Sequence, residues 1–163
     1  GAIAAHSPIC RSIADFAACG GYVLGVCNGF QVLTEMGLLP GALIRNAGLK
    51  FLSQRSVCRV TTTDSAFTRG YRPGQELSLP IAHHDGNYVA DEPTLTRLRA
   101  EDRVAFRYVD NPNGARDDIA GILSANRRVL GMMPHPERMA DPVHGNTEGR
   151  KLFESLVGQL ATA

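Results

Sequence analysis

An uncharged stretch, Phe16–Thr34, constrains the fold more than any other part of the chain. Its length is close to the ~20 residues that cross a bilayer as a helix. It contains four glycines and polar side chains such as Asn28 and Gln31. Glycines weaken a helix and amide side chains lack partners in lipid, so we do not expect a membrane span. The stretch instead predicts a buried strand over 22–26, a sharp turn, and a helix over about 28–36.

The rest of the chain alternates short apolar runs with turn-forming residues, which is typical of a single α/β layer structure. Pro8 at a first helical position predicts a helix to about Ala18. Further strands are expected over 42–63, 76–82, 104–109, 119–124 and 129–133 and from 88 onward, and further helices over 93–100 and from about 150. No repeat or interdomain linker interrupts the pattern, so we expect one domain over residues 1–163.

Composition and charge exclude several classes of function. The 163 residues are 44% hydrophobic and 20% charged, which is ordinary for a globular domain with its own core. A net charge of +1 leaves no broad basic surface for nucleic acid or an anionic membrane. Four cysteines without a secretory leader predict free thiols in a reducing, cytoplasmic setting.

The motif Gly25-Val26-Cys27-Asn28-Gly29 lies at the turn between the predicted strand and helix. A nucleophile on such a turn has a strained backbone, and a glycine two residues away on either side removes side chains that would collide. The Cys27 sulfur would lie at a helix N terminus, where the dipole favours a thiolate, and the Asn28 N–H could stabilise an oxyanion. A buried structural cysteine remains the alternative. The other three cysteines lack this context and are expected to be inert.

A second group of chemically capable residues lies in Pro134-His135-Pro136-Glu137. Each proline keeps the residue before it out of the α region, so the segment is expected to be extended. His135 and Glu137 would then project to the same side, and the carboxylate could fix the imidazole tautomer and stabilise its cation. Taken alone, the segment could be a structural turn. Together with Cys27, it supplies the three groups that thiol-based acyl transfer needs.

Both motifs resemble those of class I (triad) glutamine amidotransferases. Three further stretches, 38–43, 111–114 and 131–138, are similar to one subfamily, the small glutaminase subunits of phosphoribosylformylglycinamidine synthase. The resemblance runs from Gly1 to the C-terminal helix. It implies an α/β fold with three layers and a mostly parallel sheet of the flavodoxin-like type.

The resemblance also implies the chemistry. Cys27 would attack the side-chain amide of glutamine and release ammonia, while His135, oriented by Glu137, would act as general base and then acid. The ammonia would pass to a large ATP-dependent synthetase subunit that converts formylglycinamide ribonucleotide to formylglycinamidine ribonucleotide in purine synthesis. A small accessory subunit is a further partner that the resemblance allows. No cofactor is expected in this chain, which has no P-loop or Rossmann fingerprint, and ATP and Mg²⁺ would belong to the synthetase.

Substrate-binding residues are implied in two places. Gln31 matches a position that contacts the substrate in related enzymes. The loop 83–87 resembles one whose backbone holds the amino-acid end of glutamine, which assigns His84 and Gly86 to substrate binding. His83-His84-Asp85 could also be read as metal ligands, but adjacent strand residues point to opposite faces and no known ligand spacing is present. No metal site is therefore expected.

The start of the chain departs from the family pattern. Gly1-Ala2-Ile3-Ala4 matches the region just after the Gly-Gly loop that supplies a second oxyanion N–H in the family. We therefore expect a single type 1 glutamine amidotransferase domain that lacks its N-terminal strands. Two other functions stay open: another thiol hydrolase, such as a γ-glutamyl hydrolase or a peptidase, and a truncated, non-catalytic module that binds the synthetase.

Overall fold

A six-stranded mixed β-sheet forms the centre of the fold, which a computed structural model describes for residues 7–161. The strands are β1 (Val23–Val26), β2 (Ala42–Ile44), β3 (Leu52–Val60), β4 (Glu76–His83), β5 (Asn87–Val89), β6 (Val104–Tyr108), β7 (Ile119–Leu123) and β8 (Val129–Met132). The α-helices of this range are α1 (Pro8–Ala18), α2 (Asn28–Glu35), α3 (Glu92–Ala100) and α4 (Arg150–Ala161). The central sheet has the order β1-β8-β7-β6-β3-β4, and β2 pairs with β5 separately.

The α/β class is confirmed, but the expected mostly parallel sheet is not found among the described strands. Only β1 and β8 pair in parallel, and the other four neighbouring pairs of the six-stranded sheet are antiparallel. The connections explain two of these pairings. Residues 124–128 join β7 to β8 by a short turn, which returns the chain antiparallel, whereas β1 and β8 are separated by most of the chain and can pair in parallel.

The uncharged stretch Phe16–Thr34 folds as the sequence predicts. It contains the end of α1, the strand β1 and most of α2. The chain leaves α2 through Gly37, whose φ of +72° suits glycine. In the part of the chain that the structure describes, no helix is long and apolar enough to cross a membrane.

Alternate residues of β3 face the core, as the sequence predicts. Ser56, Cys58 and Val60 are buried, whereas Val57 and Arg59 are exposed. Burial raises the pKa of the Cys58 thiol to about 12. Cys58 therefore stays protonated and unreactive, in agreement with its assignment to the core.

Phe30 holds α2 against the sheet. Its side chain is fully buried, and its ring stacks on Tyr88 with the centroids 5.9 Å apart. Beneath it lies Gly131 of β8, where an added Cβ would collide with the Phe30 ring and lie 2.6 Å from Leu39. The absence of a side chain at residue 131 therefore sets how closely α2 approaches the sheet.

The segment Gly1-Ala2-Ile3-Ala4, on which the comparison of the N terminus depends, lies outside the described residues. The expectation of missing N-terminal strands and of an incomplete domain therefore stays a prediction.

Replacing Gly131 by alanine should destabilise the fold by about 1–3 kcal/mol, because the new methyl group overpacks the contact with Phe30. The free energy of unfolding in urea measures this effect. Gly48→Ala is the matched control, since a Cβ at residue 48 meets nothing within 4 Å, and its effect should be within about 0.5 kcal/mol. Equal stability of the two variants would contradict the packing described for Phe30.

Candidate active site

Cys27 occupies a strained turn between β1 and α2. Its backbone has φ 53° and ψ −107°, a region that costs a non-glycine residue about 1–3 kcal/mol. The Cys27 N–H donates to the carbonyl of Met132 at 2.8 Å, which ties the turn to the end of β8. Val26 and Met132 are paired residues of the parallel strands β1 and β8. The segments that follow these two strands therefore leave the sheet at the same edge.

The two glycines of the motif have different roles. A Cβ on Gly25 would collide with Leu33 and lie 2.7 Å from the carbonyl oxygen of Gly29, so residue 25 must be small for α2 to start where it does. Among residues 7–161, a Cβ on Gly29 would meet nothing within 4 Å. Within this part of the chain, the expected steric reason therefore holds for Gly25 and is wrong for Gly29.

Asn28 is the first residue of α2 and follows Cys27 directly. The first N–H groups of a helix have no intrahelical acceptor, so the Asn28 amide is not used by the helix itself. This position agrees with the predicted role of an oxyanion donor, which stays a prediction.

His135 and Glu137 form a close pair just beyond β8. Nδ1 of His135 lies 2.6 Å from Oε1 of Glu137, and the two side chains are 10% and 46% exposed. The backbone N–H of His135 donates to the carbonyl of Pro80 at 2.8 Å, which fixes the backbone of His135 against β4. The expected contact is therefore present, and His135 itself is extended as predicted, but the extended segment does not continue because Pro136–Met139 forms a 3₁₀ turn. This turn places the Glu137 carboxylate in contact with the His135 imidazole.

The surroundings of His135 favour its cation. Its pKa is raised to about 9, mainly by the neighbouring Cys27 side chain and next by the hydrogen bond with Glu137, while burial acts in the opposite direction. For Glu137, burial is the largest single influence and raises the pKa, but the hydrogen bond with His135, a backbone hydrogen bond and the charges of His135 and Arg138 together lower the net pKa. At neutral pH the pair is therefore an imidazolium beside a carboxylate.

The Cys27 side chain has the largest influence on the His135 pKa, although Nε2 of His135 makes no hydrogen bond within the described residues. Sγ of Cys27 points to the carbonyl of Ala82 at 3.6 Å. Nε2 of His135 is buried and has no partner in the part of the chain that the structure describes. The sulfur thus acts on the His135 pKa by proximity, and Nε2 is left available for a proton transfer.

Gln31 joins the helix after the nucleophile to the loop 83–87. Its Nε2 donates to the carbonyl of Asp85 at 2.6 Å. The half-buried His84 has Nδ1 3.9 Å from Oδ1 of Asp85. The structure therefore brings Gln31 and the loop together, as their shared assignment to substrate binding requires.

Asn46 holds the loop in place. Its Nδ2 donates to the carbonyls of Lys50 and His83 at 2.9 and 3.0 Å, so Oδ1 is the acceptor. Oδ1 in turn accepts the N–H of Gly86 at 3.0 Å and lies 3.0 Å from Nδ1 of His83. If the Gly86 N–H binds the substrate as predicted, it must therefore give up its hydrogen bond to Oδ1 of Asn46.

Asn46 is the residue of this region that the sequence reasoning missed. A polar residue in a short loop looks like an ordinary turn former, and its 1% exposure is visible only in the structure. Asn113 donates to the carbonyl of Gly86 at 2.8 Å and was missed as well. It lies in the stretch 111–114, so the resemblance already marked its position.

Within residues 7–161, His83 belongs to no cluster of metal-ligating side chains. Since Oδ1 of Asn46 accepts, Nδ1 of His83 carries the proton. Burial, and next the positive charge on His135, lower the pKa of His83 to about 4. Among residues 7–161, no three His, Cys, Asp or Glu side chains are arranged to hold a metal ion.

Replacing Glu137 by glutamine should lower the pKa of His135 by about one unit or more, because an opposite charge in contact is removed. NMR titration of the His135 ring measures this pKa directly. The raised pKa also stabilises the fold below about pH 6.5, and this contribution is lost as pH rises through about 9. The variant should therefore show a smaller loss of unfolding free energy over that interval.

Glu35→Gln removes the same charge from an exposed residue at the end of α2 and is the matched control. It should leave the His135 titration unchanged. An identical His135 pKa in Glu137→Gln and in the unaltered protein would refute the pairing.

Comparisons with known proteins agree on one family. A model of the CobB/CobQ-like glutamine amidotransferase domain matches residues 1–158. Phosphoribosylformylglycinamidine synthase subunit PurQ of Roseobacter denitrificans is 67% identical over 161 residues, covering 99% of this chain and 72% of that protein. The PurQ subunit of Ruegeria pomeroyi is 66% identical over 163 residues, covering 100% of this chain and 73% of that protein.

A solved structure, that of PurLQS from Thermotoga maritima, matches with a TM-score of 0.89 at 39% identity. The match covers 98% of this chain and 72% of that one. Sequence and structure therefore point the same way, and the chain belongs to the CobB/CobQ-like glutamine amidotransferase family.

Proposed function

We propose that this chain is the glutaminase subunit of a phosphoribosylformylglycinamidine synthase. It hydrolyses glutamine to glutamate and ammonia and passes the ammonia to an ATP-dependent synthetase subunit, which converts formylglycinamide ribonucleotide to formylglycinamidine ribonucleotide in purine synthesis. The observation that carries the proposal is that Cys27, with a strained backbone of positive φ, and the His135–Glu137 pair lie at the same edge of the sheet. The relatives that are 66–67% identical are named as subunits of that synthase.

In the first half of the reaction, Nε2 of His135 takes the proton of the Cys27 thiol, and the deprotonated sulfur attacks the side-chain amide carbon of glutamine. The Asn28 N–H donates to the oxyanion that forms. When the carbon–nitrogen bond breaks, the nitrogen takes the proton on Nε2 of His135 and leaves as ammonia. A thioester remains on Cys27 and His135 is neutral.

In the second half, a water molecule hydrolyses the thioester. Nε2 of His135 takes a proton from the attacking water, the carbon–sulfur bond breaks, and glutamate leaves. Glu137 holds the imidazole by Nδ1 in both halves, so Nε2 faces the reacting atoms throughout. Both steps use side chains of this chain and no bound cofactor, and we assign ATP and Mg²⁺ to the synthetase.

We assign glutamine binding to Gln31 and the loop 83–87. Gln31 supports the loop 83–87 through its bond to Asp85, and His84 lies next in that loop. A contact between substrate and Gly86 would exchange with the bond to Asn46. The partners in this proposal are glutamine, the synthetase subunit and a small accessory subunit, with no nucleic acid and no membrane. The free cysteines fit a reducing, cytoplasmic location.

Replacing Cys27 by alanine should reduce glutamine-dependent synthesis by the mixture of this chain and the synthetase by about 10³-fold or more, because the nucleophile is lost. Synthesis from added ammonium salt should be unchanged. Cys19→Ala, at an exposed cysteine away from the site, is the control and should retain both activities.

The outcome also separates the other two functions. Full use of glutamine by the Cys27→Ala mixture would end the proposal. Hydrolysis of peptides or polyglutamates by the unaltered chain alone would indicate a different thiol hydrolase. Binding of the synthetase without any glutamine hydrolysis would indicate a non-catalytic module.

Replacing Gln31 by alanine should raise the KM for glutamine by about 10-fold and change kcat much less, because the loop loses a hydrogen bond worth ~1 kcal/mol or more. Steady-state glutaminase assays of the mixture measure both constants. Glu35→Ala lies one turn further along α2, is exposed, and should leave the KM unchanged. A fall in kcat at constant KM would contradict the assignment of Gln31 to substrate binding.

A further inference from the structure

The loop 44–51 presents three apolar side chains to solvent next to the candidate active site. Ile44 is 47% exposed, Leu49 is 71% exposed and Phe51 is 60% exposed. Exposed apolar residues that occur singly are normal, but three on one short loop form a patch of the kind that binds another protein.

The loop is rigid although its apolar side chains are exposed. The Leu49 N–H donates to the carbonyl of Asn46, and Nδ2 of Asn46 donates to the carbonyl of Lys50, both at 2.9 Å. The Ala47 N–H donates to the carbonyl of Asn113 at 2.9 Å. Leu49 also has φ +54°, a strained value that a flexible loop would relax. A preformed surface loses little conformational entropy on binding, which favours affinity.

The same loop lies against the wall of the site. The N–H of Asn46 donates to the carbonyl of His84 at 2.9 Å, and the carbonyl of Ala82, two residues earlier, faces the Cys27 sulfur at 3.6 Å. A protein docked on the loop would therefore lie beside the place where ammonia is released. Ammonia in bulk water is protonated and diluted, so the enzyme that consumes it must cover this place.

The charges around the patch indicate the chemistry of the partner. Arg45 is 59% exposed and has Asp85 as an ion-pair partner at 3.5 Å, a contact that is worth little in water. Lys50 is also exposed. An apolar centre with a cationic rim is complementary to a partner surface that has apolar pockets and an acidic rim.

We propose that the loop 44–51 is the docking surface for the synthetase subunit. Leu49 and Phe51 insert as apolar anchors, and Arg45 and Lys50 face carboxylates of the synthetase. The inference rests on the proposed function, because the synthetase is the protein that receives the ammonia.

The two lysines of the chain, Lys50 and Lys151, allow a footprinting test with an internal control. Lys50 lies in the proposed surface, while the exposed Lys151 lies on α4. The full chain is acetylated with an amine-reactive reagent with and without the synthetase, and mass spectrometry reads each lysine. We expect the synthetase to slow acetylation of Lys50 several-fold and to leave Lys151 unchanged. Equal rates at Lys50 in both samples would overturn the proposal.

The double variant Leu49→Ser/Phe51→Ser tests the anchors. We expect its Kd for the synthetase to rise by about 30-fold or more, as loss of central apolar anchors does at other interfaces. Glutamine-dependent synthesis at limiting concentration of this chain should fall in step, and ammonia-dependent synthesis should not change. Val157→Ser, at a residue 64% exposed on α4, is the control and should bind normally. Equal thermal midpoints verify that both variants fold.

Three outcomes would overturn the proposal. The double variant could bind the synthetase as tightly as the unaltered chain. The unaltered chain could form a dimer that the double variant does not form, in which case the patch joins two copies. The unaltered chain could fail to bind the synthetase, which would also end the proposed function. If the synthetase binds and Lys50 is protected while glutamine is not hydrolysed, the proposed function fails and the docking surface stands.

Discussion

The hydrogen bond from the Cys27 N–H to the carbonyl of Met132 is the constraint on which the site depends. It holds a strained cysteine at the edge where the two parallel strands end, so the chain after β1 and the chain after β8 are kept side by side. The strain of Cys27 is tolerated because Gly25 and Gly131 let α2 lie close to the sheet. The packing of Phe30 thus helps to position the turn that carries Cys27.

A second, polar framework surrounds this centre. Asn46 uses both the oxygen and the nitrogen of its side-chain amide to hold His83, Gly86 and the loop 44–51. Gln31, which lies on α2, ties the same region to that helix. Buried polar networks of this kind are favourable when their members are satisfied. All the amide atoms of Asn46 have partners, whereas Nε2 of His83 has none among the described residues. The network links the nucleophile, the substrate loop and the exposed apolar surface in one connected structure.

Local patterns predicted the elements well and their pairing less well. The elements α1, β1 and α2 and the hairpin β7–β8 arise from glycine, proline and apolar periodicity, which act within a few residues. The mostly parallel sheet was expected from family resemblance, but four of the five pairs in the central sheet are antiparallel, and of these the β7–β8 pair follows from the short turn 124–128. The 3₁₀ turn at Pro136–Met139 was missed because a proline restricts the residue before it and places no such limit on the residue after it.

The sequence by itself determined the chemical groups, namely a cysteine in a glycine-bearing turn and a histidine two residues from a glutamate, because residue type and spacing are local properties. Tertiary structure alone decided their relation. The His135 pKa of about 9, the burial of Asn46 and the open space at Gly29 all arise from residues far apart in the chain. The distances between side chains, their burial and the electric field at each of them depend on which strands become neighbours. A single segment of the chain does not contain that information.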